Sequence, residues 1–171
     1  MNEPATLDFA MSVINGGKTL RIDYKVHNRS DKRFYLSDLL PVPGPRTWAL
    51  GSTDIVVMNG AEPGTVVFTR ARVPSTSPLP FLVDPGARLV EPGQSVSGAA
   101  EVALPLSAQH YRGTVAPLKG KPKLAQLELG YIAGEAHWSE LPLDDGRKLT
   151  ISNPSDPMQL LVSERKPIPT R

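Results

Sequence analysis

Cysteine is absent from this 171-residue chain. Disulfides, thiolate nucleophiles and cysteine-ligated metals are therefore excluded together. Aromatic residues make up only 6% of the chain, leaving little for a base-stacking nucleic-acid platform once a core is filled. No nucleic-acid partner is expected. No apolar run approaches the roughly 18 residues needed to cross a bilayer, so no membrane span is expected either. A sustained 3.6-residue apolar period is also missing, and at most one short helical turn, over Ser107–Arg112, is expected. An excess of one charge is nearly lacking: 19 basic against 17 acidic residues leave +2, which bears on solubility more than on partners. Met1–Pro4 has neither the basic nor the apolar region of a secretory leader. The expectation is a cytoplasmic protein if Met1 is the native start, and an extracytoplasmic one if a leader was removed.

What abounds is proline, eighteen residues, with fourteen glycines. Proline interrupts helices and central strands, so it gathers in loops and at edges. Three acidic-Pro-Gly triplets, Glu62-Pro63-Gly64, Asp84-Pro85-Gly86 and Glu91-Pro92-Gly93, suit type II turns: Pro sets φ near −65° and Gly takes the positive φ that follows. Between such turns the apolar residues alternate. Leu7, Phe9, Met11 and Val13 form one period-2 series, and Leu20, Ile22, Tyr24 and Val26 another, joined by Asn15-Gly16-Gly17 as a hairpin signal. Ala125, Leu127, Leu129 and Tyr131 make a third. Trp48 and Leu50, after a proline-rich bend at 41–45, read as core anchors. Leu82–Arg88 is echoed by Leu89–Ser95, two successive turns around a short edge segment.

These signals predict an all-β chain, an antiparallel β-sandwich of about eight to ten short strands. One domain spans 1–163 with proline-rich loops at 41–45 and 74–93, followed by an extended tail, 164–171. The passage from Leu20 through Val26 and Asn28-Arg29-Ser30-Asp31-Lys32 to Phe34–Leu36, with Glu91–Ser95 leading into Val96–Leu106, resembles parts of immunoglobulin-like and fibronectin-III-like modules. The resemblance implies their sandwich fold and carries no functional residue with it.

Catalytic signals are weak. His27, His110 and His137 stand apart in sequence and read as surface histidines. Gly93-Gln94-Ser95-Val96-Ser97-Gly98 has one residue too many for a nucleophile elbow, and it lies where a strand, not a strand-to-helix turn, is expected. Asp144-Asp145-Gly146 begins like a Ca²⁺ loop, but the position of the closing acid is Ser155. Neither metal nor cofactor is expected. The favoured reading is a non-catalytic module that binds a protein, as an accessory or structural subunit, through the sheet edge near Pro80–Pro92 or the tail. Arg70, Arg72, Arg88, Lys119, Lys121, Lys123, Arg165 and Lys166 are the candidate contacts. The alternatives are a carbohydrate or small-ligand binder using Trp48 or Trp138, and a hydrolase or metal enzyme assembled across loops.

Overall fold

A computed structural model describes residues 3–51, 53–71, 84–108, 116–133, 137–153 and 157–170. Among these residues the chain is all-β, with fourteen strands and one three-residue 3-10 turn at Asn15–Gly17. The alternating series do what their period requires. β1 (Ala5–Ile14) and β2 (Thr19–Asn28) form a hairpin in register from Ala5↔Asn28 to Ile14↔Thr19. β9 (Ser95–Ala103) lines the other side of β2. This three-stranded sheet turns Phe9, Leu20, Ile22, Tyr24, Val26 and Val102 inward.

The larger sheet contains β3 (Phe34–Leu39), β6 (Val56–Asn59), β7 (Thr65–Thr69), β8 (Gly86–Val90), β10 (Leu124–Ile132), β11 (Trp138–Pro142), β12 (Lys148–Ser152), β13 (Gln159–Val162) and β14 (Lys166–Pro167). β10 is its axis. Tyr131 pairs with both Leu36 and Gln159, Glu128 with both Thr69 and Val162, and Leu124 with both Thr65 and Pro167. Each residue has only two sides, so β3 and β7 lie end to end along one flank of β10, with β13 and β14 along the other. Both sheets feed one core in which Phe34, Phe68, Leu36, Leu127 and Leu129 meet Leu20, Ile22 and Val26. Burying each such side chain contributes about 1.5–3 kcal/mol.

Several expectations need correction. The strands are not all antiparallel: β7 runs parallel to β10. Their connection passes through β8 and β9, so no tight turn imposes opposite directions. Gly64 and Gly93 have the positive φ expected of their triplets, 82° and 76°, but Gly86 does not. It opens β8 instead, opposite Leu39 and Ile151, where an added Cβ would stand 2.4 Å from Leu149. Close approach, not turn geometry, is its reason. β8 lies between β12 and β3, an interior strand and not an edge. The bend at 41–45 is part of a small hairpin, β4 (Pro41–Pro43) with β5 (Trp48–Leu50), and Trp48 and Leu50 are only half-buried. The loop at Pro74–Pro80 and most of the expected helical turn, from Gln109 onward, lie outside the described residues.

The tail is extended as a strand of the sheet. Between β13 and β14 the pairing with β10 slips by one residue, since Ala125 faces Lys166 where the register of Val162 would place Arg165. Ser163 absorbs this bulge: its N–H donates to the Leu127 carbonyl, and its Oγ accepts the Leu127 N–H at 2.9 Å. A side-chain oxygen replaces a ladder carbonyl, which keeps a buried amide paired.

Candidate partner-binding surface

Tertiary structure gathers five of the eight candidate contacts at one end of the molecule. The loop carrying Lys119, Lys121 and Lys123 is clamped from beneath. Asn59 Nδ2 donates to the Pro117 carbonyl at 2.8 Å, and its Oδ1 accepts the Lys119 N–H at 2.8 Å. Gly64 donates to the Lys119 carbonyl, and its own carbonyl accepts from Lys123 and Leu124. Gly64 and Gly120 both hold positive φ where the two turns touch; a Cβ on Gly64 would come within 3.2 Å of the Lys121 carbonyl. The loop backbone is fixed while its three lysines are exposed. None of the three is ion-paired among the described residues.

The two tail cations are placed differently. Arg165 pairs with Glu62 at 3.3 Å. Lys166 donates to Asp8 Oδ1 at 2.6 Å and to the Phe9 carbonyl, with its ammonium 5.2 Å from the Phe9 ring centre. The Lys166 hydrogen bond holds the Asp8 carboxyl below its usual range. β1 is an edge strand, and a lysine on its mid-strand carbonyl discourages a further strand from pairing there.

Between the lysine loop and the tail lies a groove of about 580 Å³. Leu104, Pro105 and Leu106 line it beside Pro122, Ile168 and Pro169, and Lys121 also lines it. Leu104, Leu106 and Ile168 rest on the main core, and Ile168 is tied to the loop by its N–H on the Lys123 carbonyl at 2.9 Å. A fourth exposed lysine adjoins the groove: the Leu104 N–H bonds the Lys18 carbonyl at 2.9 Å. Sequence reading missed Lys18, which looked like a hairpin residue, and Asn59, which looked like a turn. Nothing in a linear sequence sets either beside residues 104–123.

Arg70 and Arg88 belong elsewhere. Arg70 is 4% exposed. It donates Nε to the Asp54 carbonyl (2.8 Å), Nη2 to the Ala99 carbonyl (2.8 Å) and Nη1 to the Tyr24 hydroxyl (3.0 Å). The Tyr24 hydroxyl donates to Asp38 Oδ2 at 2.6 Å, and Asp38 takes a bidentate pair from Arg88. Burial pushes the Tyr24 phenol well above its ordinary value, and the Asp38 charge adds to this. Burial is the largest single influence on Arg88 and opposes its charge, but the hydrogen bond and charge of Asp38, joined by Tyr24, together outweigh it and the guanidinium's pKa is raised. Arg70 and Arg88 also cover the free side of β9 by bonding the Ala99 and Ser97 carbonyls. These arginines tie the two sheets together and are not part of a surface rim. Arg72 lies outside the described residues.

The described histidine, aspartate and tryptophan candidates are engaged within the fold. His27 Nδ1 meets Ser95 Oγ at 2.8 Å, and His110 lies outside the described residues. Asp144 accepts the main-chain N–H of Thr47 (2.8 Å) and Arg46 (3.3 Å), capping the β4–β5 hairpin, while Asp145 pairs with Arg147. Trp138 is half-buried against Tyr35, their ring centres 4.6 Å apart. Among the described residues no three His, Cys, Asp or Glu side chains group to hold a metal ion, and no helix is long and apolar enough to cross a membrane. Compared with protein-family models, curated proteins and solved structures, the chain matches none.

Proposed function

We propose that this chain is a non-catalytic protein-interaction module with an immunoglobulin-like β-sandwich fold, serving as an accessory or structural subunit of a larger assembly. Strand order supports the fold. β1, β2 and β9 follow the arrangement of strands A, B and E in such modules, and β3, β10 and β13 that of C, F and G. The chain departs from that plan by inserting β4 to β8 between β3 and β9 and the β11–β12 hairpin between β10 and β13.

The observation that carries the functional reading is the apolar groove beside a rigidly clamped loop of unpaired lysines. An apolar floor with a charged rim is the ordinary anatomy of a transient protein interface, and a fixed backbone spares a partner the cost of ordering it. The test is affinity purification from native cells with the wild-type chain and with Leu106→Arg, which spoils the groove while adding positive charge. Thr170→Glu at the exposed lip serves as a second variant that spares the core and sets a negative charge against the groove. A protein retained by the wild type and lost from both folded variants is the expected result. Equal retention by all three would overturn the reading.

A further inference from the structure

We infer that the groove takes an extended acidic peptide segment that inserts an aliphatic or aromatic side chain between Leu106 and Ile168. This rests on the interaction-module reading and adds the chemistry of the partner. Two features of the site select that chemistry. The first is charge: Lys121 lines the groove, Lys119 and Lys123 flank it in the same loop, and Lys18 lies beside its wall through the bond from the Leu104 N–H; all four are exposed and without ion pairs among the described residues, and no acidic side chain lines the groove. The neighbouring cations Arg165 and Lys166 are already neutralised by Glu62 and Asp8, so the unbalanced charge is confined to the lysine rim.

The second feature is the lining itself. Pro105, Pro122 and Pro169 have no N–H, so these wall positions cannot donate main-chain bonds to an added strand. Recognition then falls to apolar insertion and to lysine-carboxylate attraction. No aromatic residue lines the groove, which removes both the stacking surface for nucleotide bases and the aromatic trough that proline-rich ligands use. A phosphate backbone would also leave the apolar floor unfilled.

Fluorescence polarisation with labelled decapeptides tests this. One peptide carries four glutamates around a central leucine, a second replaces those glutamates by glutamine, and a third replaces the leucine by serine. A labelled ten-nucleotide deoxythymidine strand is the competing class. The acidic leucine peptide should bind, weaken as salt rises, and lose roughly tenfold in affinity with K119Q/K121Q/K123Q, the sum of three rim-exposed pairs. Both substituted peptides should bind more weakly. Equal binding of the glutamine peptide, indifference to the triple substitution, or preference for the oligonucleotide would each overturn the inference. If no acidic peptide binds while Leu106→Arg still abolishes capture from cells, the acidic chemistry fails and the module reading survives. If capture is indifferent to Leu106→Arg and Thr170→Glu, the module reading fails first.

Discussion

Replacing Tyr24 by Phe removes the hydroxyl that joins Asp38 to Arg70, and the structure sets how much that should cost. The ring is 3% exposed, so water cannot substitute freely for the lost group. Two bonds disappear: the 2.6 Å donation to Asp38 and the 3.0 Å donation from Arg70. Hydrogen bonds to charged partners contribute about 1.5–3 kcal/mol each. Asp38 keeps its bidentate contact with Arg88, and Arg70 keeps the Asp54 and Ala99 carbonyls. The expected loss is therefore about 3 kcal/mol and not the full sum of the two. With a urea slope of about 2 kcal/mol/M, the unfolding midpoint should fall by roughly 1.5 M at unchanged slope. The half-buried indoles of Trp48 and Trp138 report the transition.

The same residue has a signed pH signature. Its folded pKa is raised above the unfolded value of about 10. A raised value means the fold favours the protonated phenol. Its contribution is complete below pH 10 and is lost as pH climbs from there toward the folded pKa. The stability gap between wild type and Tyr24→Phe should thus narrow above pH 10. A loss under about 0.5 kcal/mol at neutral pH, or a gap that widens in alkali, would refute the reasoning, because surface substitutions alone reach the first figure.

Two further substitutions probe how the sheets are closed. Gly98→Ala would place a Cβ 2.3 Å from the Tyr24 ring and hydroxyl; overpacking of this kind costs about 1–3 kcal/mol, and thermal unfolding followed by circular dichroism should show a matching drop. Ser163→Ala leaves the Leu127 N–H without its acceptor in the bulge between β13 and β14, a loss of about 1–3 kcal/mol. Hydrogen exchange at the Leu127 amide should accelerate, and unchanged protection there would mean that the bulge is held by something else.

Much of the secondary structure could be read from the chain because it is local. The alternation of Leu20 to Val26 against Arg21 to Lys25 assigns both faces of β2, and Asn15-Gly16-Gly17 names its turn, with Asn15 at a φ of 53°. The same local logic misread Asp84-Pro85-Gly86, whose composition suits a turn while its surroundings require a strand threaded past Leu149. Arg70 and Arg88 looked like surface charge because most arginines are exposed. The Asp38 carboxylate, the Tyr24 hydroxyl and the carbonyls of Asp54 and β9 hold these guanidinium groups inside the fold.

Composition and local pattern establish that this protein is built of strands, that it has no disulfide, and that three of its lysines fall together at 119, 121 and 123. Each follows from composition or from a period of two, which are properties of neighbouring residues. Tertiary structure alone decided that β7 runs parallel to β10, that the tail returns as β14, and that Lys18, Leu106, Lys121 and Ile168 adjoin one groove. Such pairings join residues far apart in the chain. They are selected by which arrangement buries the apolar faces of both sheets at once, and no local pattern encodes that choice.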